Sequence, residues 1–374
     1  MQINIDASNI KAGGGLTHLS KIIENLESDN TNIGVIGGEW LSNFPSKKNI
    51  TISIFKAPFK NIFFQEFFKR TKLIHLLNKG NIIFAPGGTF YSRDTPYVSM
   101  SQNMLIFENK ERNRFPFSFT KMRYLLLEII QVKSLKNAKG IIYISYYAKK
   151  YIEKKYPILK SINSIVIYHG ISNDFRQKPK KQYHIKKYTN DNPFIITYVS
   201  IINYYKHQLN VINSIKEIRN KGYNVQLELI GPINNSLKNK FNKALLGYES
   251  FVKYRGKIPY DEISKVYKNT DLFLFASTCE NMPNILVEAM SAGLPILSSN
   301  YGPMPEILKD AGVYMNPTDV DSISFNLEKL LLNERLRTKI ANKAYKYSQD
   351  FSWVKTSKET FGFIKELAQE IIIK

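Results

Sequence analysis

Short runs of β-branched residues alternate with longer amphipathic stretches from one end of the chain to the other. This alternation is typical of βαβ units, whose strands form parallel sheets. In the first half it predicts strands at 3–6, 32–36, 51–55, 81–85, 97–100, 140–145 and 164–168, and helices at 16–27, 62–78 and 119–136. The last of these helices places Met122, Leu125, Leu126 and Ile129 near one face.

The pattern stops at residues 172–192, a polar and strongly basic segment without apolar periodicity, which predicts an interdomain linker. It then resumes, with strands predicted at 194–199, 225–230, 251–255, 271–275, 295–298 and 313–315 and helices at 209–221, 236–246, 284–292 and within 321–373. We therefore predict an α/β protein with two Rossmann-like, doubly wound domains facing a central cleft. The predicted parts are an N-terminal domain, 1–171, the linker, a C-terminal domain, 193–350, and a final helix, 351–374, packing back toward the N-terminal domain.

The cysteine content limits the class of protein. One cysteine, Cys279, in 374 residues excludes an internal disulfide framework and suits a reducing compartment. The first ten residues lack a cationic region followed by an apolar run, so no secretory signal is expected. Apolar runs such as 124–130 fall far short of the roughly 20 residues that a spanning helix needs. A cytoplasmic location is the expectation.

The charge is large and unevenly distributed. Lys and Arg outnumber Asp and Glu by 53 to 31, which gives +22, of which residues 1–190 carry +18 and residues 191–374 only +4. Compositional drift toward Lys and Asn contributes to such an excess, but it does not explain loading of one half. The skew predicts an anionic partner for the first half, either nucleic acid or an anionic membrane face.

The segment 277–307, STCENMPNILVEAMSAGLPILSSNYGPMPEI, carries the most informative chemistry. It leaves a predicted strand and starts a helix at Pro283, so Glu280 lies on the loop and Glu288 lies one turn inside the helix. Free N–H groups at 284–286 and the helix dipole predict an anion site beside the two carboxylates. An anion next to paired acids suggests a phosphate attached to a polyhydroxylated group.

This segment resembles the group 1 retaining glycosyltransferases, which have the two-domain GT-B fold. The match consists of Glu280, Glu288, Ala289, Gly293 and Pro295, followed by Gly302 and Glu306. The resemblance implies that Glu280 binds donor-sugar hydroxyls on the face where charge develops and that Glu288 binds the nucleotide ribose. It also implies contacts to sugar and diphosphate from Asn281, Met282, Pro283, Asn284 and Ile285, with no metal or cofactor required.

A second match is YVSIINYYKHQ at 198–208, where the family has a pair of basic residues on the diphosphate. Lys206 fits the second member, and neutralising a departing phosphate is a large catalytic effect. The first member is absent because Ser200, Ile201 and Ile202 occupy its place. Whether Arg255 or Lys257 compensates stays open. The resemblance further implies donor contacts from Ser200 and, for the base, from backbone near Gly256 and Ile258.

Gly13, Gly14 and Gly15 follow the first strand and precede a helix, where a phosphate-cradling loop belongs, although a flexible turn also fits. The resemblance implies diphosphate contacts from Gly14 and Gly15, and Gln102 and Asn103 are predicted to contact sugar or acceptor. His18 is predicted to be a core or surface residue. Asp319 and Asp321 form an Asp-x-Asp sequence, for which helix capping is preferred over metal binding.

Taken together, the resemblance implies transfer from a nucleotide diphospho-sugar, bound by the second domain, to a glycan acceptor approaching from the first. A lipid-linked acceptor would be presented where the basic, apolar helices around 55–80 and 112–139 meet an anionic membrane. We expect a peripheral protein on the inner face of the cytoplasmic membrane, in synthesis of O-antigen or capsule. A nucleic-acid-binding protein is the alternative, disfavoured because the sharpest motif lies in the near-neutral half. A nucleotide-sugar epimerase and an inverting transferase also remain.

Overall fold

The computed structural model describes residues 1–10, 13–27, 31–42, 44, 47–55, 73–116 and 119–373. Residues 62–72 of the helix predicted at 62–78, and most of the basic region at 55–80, lie outside them. The chain divides into two compact units. Unit 1 comprises Met1–Phe107, Phe117–Gly170 and Ser352–Lys374, and unit 2 comprises Glu108–Pro116 and Ile171–Phe351.

Unit 1 contains a seven-stranded sheet in which every strand pairs in parallel, in the order β3-β2-β1-β4-β5-β6-β7. Its strands are β1 Gln2–Asp6, β2 Asn32–Gly37, β3 Ile50–Ile54, β4 Ile82–Ala85, β5 Tyr97–Ser101, β6 Gly140–Tyr143 and β7 Asn163–Val166. The central strands β4, β5 and β6 are buried throughout, as continuous apolar runs in a parallel sheet require. The strand order reverses between β1 and β4, which makes their carboxyl ends the switch point where ligands bind in such sheets.

Unit 2 repeats this design with a six-stranded parallel sheet, in the order β10-β9-β8-β11-β12-β13. Its strands are β8 Phe194–Val199, β9 Val225–Ile230, β10 Val252–Gly256, β11 Leu272–Phe275, β12 Ile296–Ser299 and β13 Val313–Met315. The switch point lies between β8 and β11. The predicted α/β class and doubly wound sheets are confirmed.

The described α-helices connect and cover these strands. In chain order they are α1 Gly14–Glu24, α2 Ile74–Leu77, α3 Asn109–Arg112, α4 Phe119–Asn137, α5 Tyr146–Lys155, α6 Gln208–Asn220, α7 Lys238–Leu245, α8 Ile263–Lys268, α9 Asn284–Ser291, α10 Met304–Leu308, α11 Val320–Leu331, α12 Glu334–Ser348 and α13 Trp353–Ile373. The last of them, α13, packs against α1 in unit 1, where the Ser357 hydroxyl donates to the carbonyl of Ile22 at 2.6 Å. Gly170 permits the close approach of its first turn, because a Cβ there would lie 2.2 Å from the backbone nitrogen of Trp353.

Residues 172–192, which the sequence pattern predicts to be a linker, lie within unit 2. Phe175 is buried against the rings of Tyr260 and Tyr267, and the backbone N–H of Gln177 donates to the carbonyl of Ser291 at 2.9 Å. A few anchoring side chains spaced along a polar run are enough to dock this segment. They produce no periodic pattern, so the sequence suggests a linker.

Helix α4 exposes its apolar face and buries its polar face, the reverse of the usual amphipathic helix. Met122, Leu125 and Ile129 lie on one face as predicted, but they are 55%, 45% and 67% exposed, and we call them the apolar stripe. The opposite face is buried and polar, with the side chains of Glu128, Gln131 and Ser134. Glu128 forms an ion pair with Lys155 and accepts a hydrogen bond from Tyr156, and the Ser134 hydroxyl accepts one from the N–H of Phe90 at 3.1 Å.

Candidate functional site

Lys206 and Glu280 meet at the switch point of the unit 2 sheet. Lys206 lies in the turn after β8, Glu280 lies in the loop after β11, and the Lys206 Nζ forms an ion pair with Glu280 Oε1. The two side chains are only 6% and 16% exposed. Lys206 is therefore not a solvated surface lysine, and a positive and a negative group are held together where a doubly wound sheet binds its ligand.

The turn that carries Lys206 is tightly bound to its surroundings. The Tyr198 hydroxyl donates to the carbonyl of Lys206 at 2.8 Å, and the Asn203 side chain accepts from the N–H of Tyr204 at 2.8 Å. Ser200, at the end of β8, is buried and accepts a hydrogen bond from the Gln208 amide at 2.8 Å. The backbone after β8 is therefore fixed before any ligand arrives.

The two candidates for the missing cation of the expected basic pair, Arg255 and Lys257, lie at the carboxyl end of β10. Arg255 forms an ion pair with Glu228 on the adjacent strand, at 3.0 Å, and Lys257 is exposed. Among the described residues, neither side chain contacts Lys206. Gly256 has a φ of 67° and accepts a hydrogen bond from the N–H of Gly231, which places it and Ile258 at the carboxyl end of β10.

Helix α9 begins at Asn284 directly after Pro283, as the sequence predicts. The backbone N–H groups of residues 284–286 were expected to be free, and this is wrong for two of them. The N–H of Asn284 donates to the carbonyl of Met282 at 3.1 Å, and that of Leu286 donates to the carbonyl of Pro283 at 2.9 Å, because the chain turns sharply at the proline. Asn281 and Met282 are buried beside this turn.

Glu288 is buried in α9 and has its own partners. Its carboxylate accepts hydrogen bonds from the hydroxyls of Tyr260, at 3.0 Å, and Tyr267, at 3.3 Å. Burial raises the pKa of Glu288 to about 7, although the two tyrosine hydrogen bonds act to lower it. Glu280 and Glu288, predicted to face one cavity, thus lie in different surroundings, one beside a cation and one between two hydroxyl groups.

Sequence reasoning missed a polar cluster beside the ion pair. The Thr278 hydroxyl donates to the carboxylate of Glu111 and lies 3.1 Å from His207 Nε2, and Arg114 Nε donates to Glu111 at 2.6 Å. Burial, and next the Arg114 charge, lower the pKa of His207 to about 4, so this imidazole is neutral. Glu111 and Thr278 are 167 positions apart, so no local spacing links them.

In unit 1 the structure brings Gly15 and Gln102 together at the switch point of the first sheet. Gly13 has a φ of 71° and caps α1, which starts at Gly14, two residues earlier than predicted. A Cβ on Gly15 would lie 3.4 Å from Gln102 Oε1, and the Gln102 amide donates to the carbonyl of Pro86 at 3.0 Å. Asn103 is exposed and caps the following turn by accepting from the N–H of Leu105.

Three residues set aside in the sequence analysis have structural roles. His18 is fully buried and stacks on His169 with the ring centroids 4.6 Å apart, which confirms a core position. The Asp319 side chain accepts a hydrogen bond from the N–H of Asp321 at 3.0 Å, which confirms capping of α11. Burial, and next Glu108 and Glu280, raise the pKa of Cys279, so its thiol stays protonated.

Within the described part of the chain, every helix is too short or too polar to span a bilayer.

The family model of group 1 glycosyl transferases matches residues 179–347. O-antigen chain mannosyltransferase B of Escherichia coli is 29% identical over 119 residues, which are 32% of this chain and 31% of that protein. CapM of Staphylococcus aureus, a capsular polysaccharide biosynthesis glycosyltransferase, is 28% identical over 261 residues, covering 65% of this chain and 67% of CapM. Three of the curated relatives are matched over only 31%, 53% and 33% of their own lengths.

Solved structures extend the likeness to both units. The structure of Anabaena HepE in complex with UDP-glucose superposes with a TM-score of 0.73 at 19% identity, over 98% of this chain and all of that one. Sucrose-phosphate synthase from Thermosynechococcus elongatus superposes with a TM-score of 0.75 at 15% identity, over 98% of this chain and 99% of that one. The chain therefore has the GT-B fold, and its residues 179–347 are similar to the group 1 glycosyl transferases.

Proposed function

We propose that this protein is a retaining glycosyltransferase that moves a sugar from a nucleotide diphospho-sugar to a lipid-linked glycan acceptor in bacterial surface polysaccharide synthesis. The observation that carries the proposal is the buried Lys206–Glu280 ion pair at the switch point of the unit 2 sheet. The family match covers the same unit, and the names of the relatives include O-antigen and capsule synthesis. We therefore propose that unit 2 binds the donor.

In this proposal Lys206 transfers its ion pair from Glu280 to the donor diphosphate. The cation then neutralises charge that grows on the phosphate as the glycosidic bond breaks, and the partly buried position strengthens this effect. Glu280, released from Lys206, accepts hydrogen bonds from sugar hydroxyls. The acceptor proton passes to a donor phosphate oxygen, so no side-chain base is needed for front-face attack with retention.

Glu288 would hold the ribose. A buried carboxylate that already accepts two hydrogen bonds from tyrosine hydroxyls is suited to accept from ribose hydroxyls as well. Tyr260 is 50% exposed, so a ligand reaches the Glu288 environment along this side chain. The backbone at Gly256 and Ile258, at the carboxyl end of β10, is the proposed base contact.

Unit 1 is proposed to contact the anionic membrane through the apolar stripe. A monomeric protein rarely exposes aligned large apolar side chains unless they bind a partner, and here the opposite face of α4 is occupied by Glu128, Gln131 and Ser134. Exposed cations at Arg123, Lys133 and Lys136 lie on the same helix. Apolar side chains accompanied by basic ones are the combination that binds an anionic leaflet from one side.

A thermal-shift panel tests the donor assignment. UDP, GDP, ADP, dTDP and CMP are compared, with and without magnesium, on wild type and on Glu288→Ala, with Glu217→Ala in α6 as the control carboxylate variant. We expect one nucleoside diphosphate to raise the melting temperature without magnesium, and Glu288→Ala alone to weaken that shift. UDP is the first candidate because it is bound in structures of HepE. If no nucleotide raises the melting temperature, the assignment of the donor site to unit 2 is wrong.

Retention is tested separately by determining the anomer of the transferred sugar.

A further inference from the structure

Glu111 comes from the first half of the chain, yet it belongs to unit 2. The segment Glu108–Pro116, which includes α3, is counted in that unit, whereas the residues on either side of it belong to unit 1. The Glu111 side chain is almost fully buried, and Arg114 Nε donates to it at 2.6 Å. A buried carboxylate that is compensated in this way is a fixed anchor for a hydrogen-bond donor.

The group that donates a hydrogen bond to Glu111 is the hydroxyl of Thr278, which has a single proton. Two acceptors are in reach of that proton, the Glu111 carboxylate and, at 3.3 Å, the carbonyl of Tyr205, and the shorter contact to the charged carboxylate takes it. The 3.1 Å contact with His207 Nε2 then requires the imidazole to donate to the Thr278 oxygen. The backbone N–H of Thr278 also donates to the carbonyl of Tyr205 at 2.8 Å. The result is a directional chain of hydrogen bonds from His207 through Thr278 to Glu111.

Two members of this chain, His207 and Thr278, lie close in sequence to the residues of the ion pair. His207 directly follows Lys206 and has a φ of 52° and a ψ of 31°, a left-handed conformation that residues with a side chain rarely adopt. Glu280 is two positions after Thr278. The contacts of His207 and Thr278 therefore bind the strained turn after β8 to the loop after β11.

We propose that Glu111 is a positioning residue, which acts through the Thr278 hydroxyl to hold the turn of Lys206 and the loop of Glu280 in the geometry needed for transfer. This inference rests on the proposed function. Glu111 does not itself touch the donor in this scheme. Its effect is to prevent Lys206 from relaxing with the strained backbone, and small errors in the position of such a group reduce the rate more than the binding of ligand.

The test compares Glu111→Ala and Thr278→Val with the conservative variants Glu111→Gln and Thr278→Ser. Gln keeps an oxygen that accepts from the Thr278 hydroxyl, and Ser keeps the hydroxyl. Unit 2 offers a matched control, because the Ser324 hydroxyl donates to the carboxylate of Glu217 at 2.5 Å between α11 and α6. Ser324→Ala removes the same type of hydrogen bond away from the ion pair.

Release of nucleoside diphosphate from UDP-glucose, GDP-mannose, ADP-glucose and dTDP-glucose gives kcat and KM, and calorimetry with the matching nucleoside diphosphate gives Kd. We expect Glu111→Ala and Thr278→Val to lower kcat at least about tenfold with Kd changed less than about twofold. Glu111→Gln and Thr278→Ser should recover kcat to within about threefold of wild type. Ser324→Ala should match wild type in kcat. In Thr278→Val, nitrogen NMR should show loss of the fixed Nε2–H form of His207.

Two results overturn the inference in different ways. If wild type turns over a donor and Glu111→Ala and Thr278→Val reduce kcat no more than Ser324→Ala does, Glu111 is a structural residue only and the proposed function stands. If wild type neither binds a nucleoside diphosphate nor releases one from any donor, the proposed function fails and the positioning role fails with it.

Discussion

Lys206 and Glu280 form a buried ion pair across 74 positions of the chain. Strands β8 and β11 are neighbours in a parallel sheet, so the segments that follow them emerge at the same edge. The order of the sheet reverses between these two strands, and this opens the space that ligands occupy in such folds. The topology therefore places a cation and a carboxylate where a phosphate and a sugar would be bound together.

Replacing Lys206 with Met should lower kcat about 10²- to 10³-fold, because the variant cannot neutralise the departing diphosphate. Nucleoside diphosphate release from the preferred donor measures the effect. The matched control is Lys221→Met, which breaks the ion pair of Lys221 with Glu328 at the surface of the same unit. Equal activity of the two variants would contradict a catalytic role for Lys206.

The same substitution should also destabilise unit 2, and a second change should reverse this. Lys206→Met leaves the Glu280 carboxylate buried without its cation, which costs up to about 3 kcal/mol. The double variant Lys206→Met/Glu280→Gln removes the unpaired charge and should recover most of the unfolding free energy, measured in urea. It should stay inactive. Recovery of activity along with stability would show that the single variant failed by misfolding.

Glu288 is expected to make unit 2 less stable as the pH rises from 4.5 to 7. Its pKa is raised from 4.5 to about 7, chiefly by burial, so in this range the folded state keeps a proton that the unfolded state has released. The unfolding free energy then falls with pH, by about 3 kcal/mol for a shift of this size. Glu288→Gln should remove this fall.

Urea unfolding followed by circular dichroism across that pH range measures the effect. Both tryptophans of the chain, Trp40 and Trp353, lie in unit 1, so a transition without a change in tryptophan fluorescence reports unit 2. Glu217→Gln is the control. A fall that persists unchanged in Glu288→Gln would assign the pH dependence to another group.

His18 should give unit 1 the opposite pH dependence. Burial, and next the neighbouring His169, hold the pKa of His18 well below 6.5, so below pH 6.5 the unfolded chain binds a proton that the folded unit does not. Stability should therefore be lost as the pH falls below about 6.5. Tryptophan fluorescence follows this transition. His18→Phe, which keeps an aromatic ring against His169 and Trp353, should reduce the loss, whereas the exposed His75→Phe should not.

The fold could be predicted from the sequence because local signals encode it. Strands 194–199, 225–230 and 313–315 have the predicted boundaries, since short apolar segments bounded by polar turns mark where strands begin and end. Pro283 marks the start of α9 because proline suits the first turn of a helix. The strands that precede Lys206 and Glu280 are adjacent in the structure, but the sequence pattern gives no strand order.

Contacts made by single distant side chains could not be predicted in this way. The bond between Thr278 and Glu111 depends on a short segment that leaves unit 1 and packs in unit 2, and composition does not indicate such a path. Docking of residues 172–192 depends on anchors such as Phe175. The periodicity of α4 correctly predicted that its apolar residues share one face, but it did not predict that this face is exposed. The polar face is buried because Glu128 binds Lys155 and Tyr156, which lie elsewhere in the chain.

The apolar stripe of α4 should be required for binding to anionic vesicles. Wild type is expected to bind phosphatidylglycerol vesicles at low salt, less so at high salt, and not to bind phosphatidylcholine vesicles.

The variant Met122→Gln/Leu125→Gln/Ile129→Gln should bind at least about tenfold more weakly, because each apolar side chain contributes on the order of 1 kcal/mol or more when it leaves water. Phe325→Gln in unit 2 is the control, since Phe325 is 69% exposed and outside the stripe. Since the buried partners of α4 are untouched, the melting temperature should stay the same. Unchanged vesicle binding by the triple variant would exclude the stripe as the contact, and a wild type indifferent to anionic vesicles would exclude the membrane as the partner of unit 1.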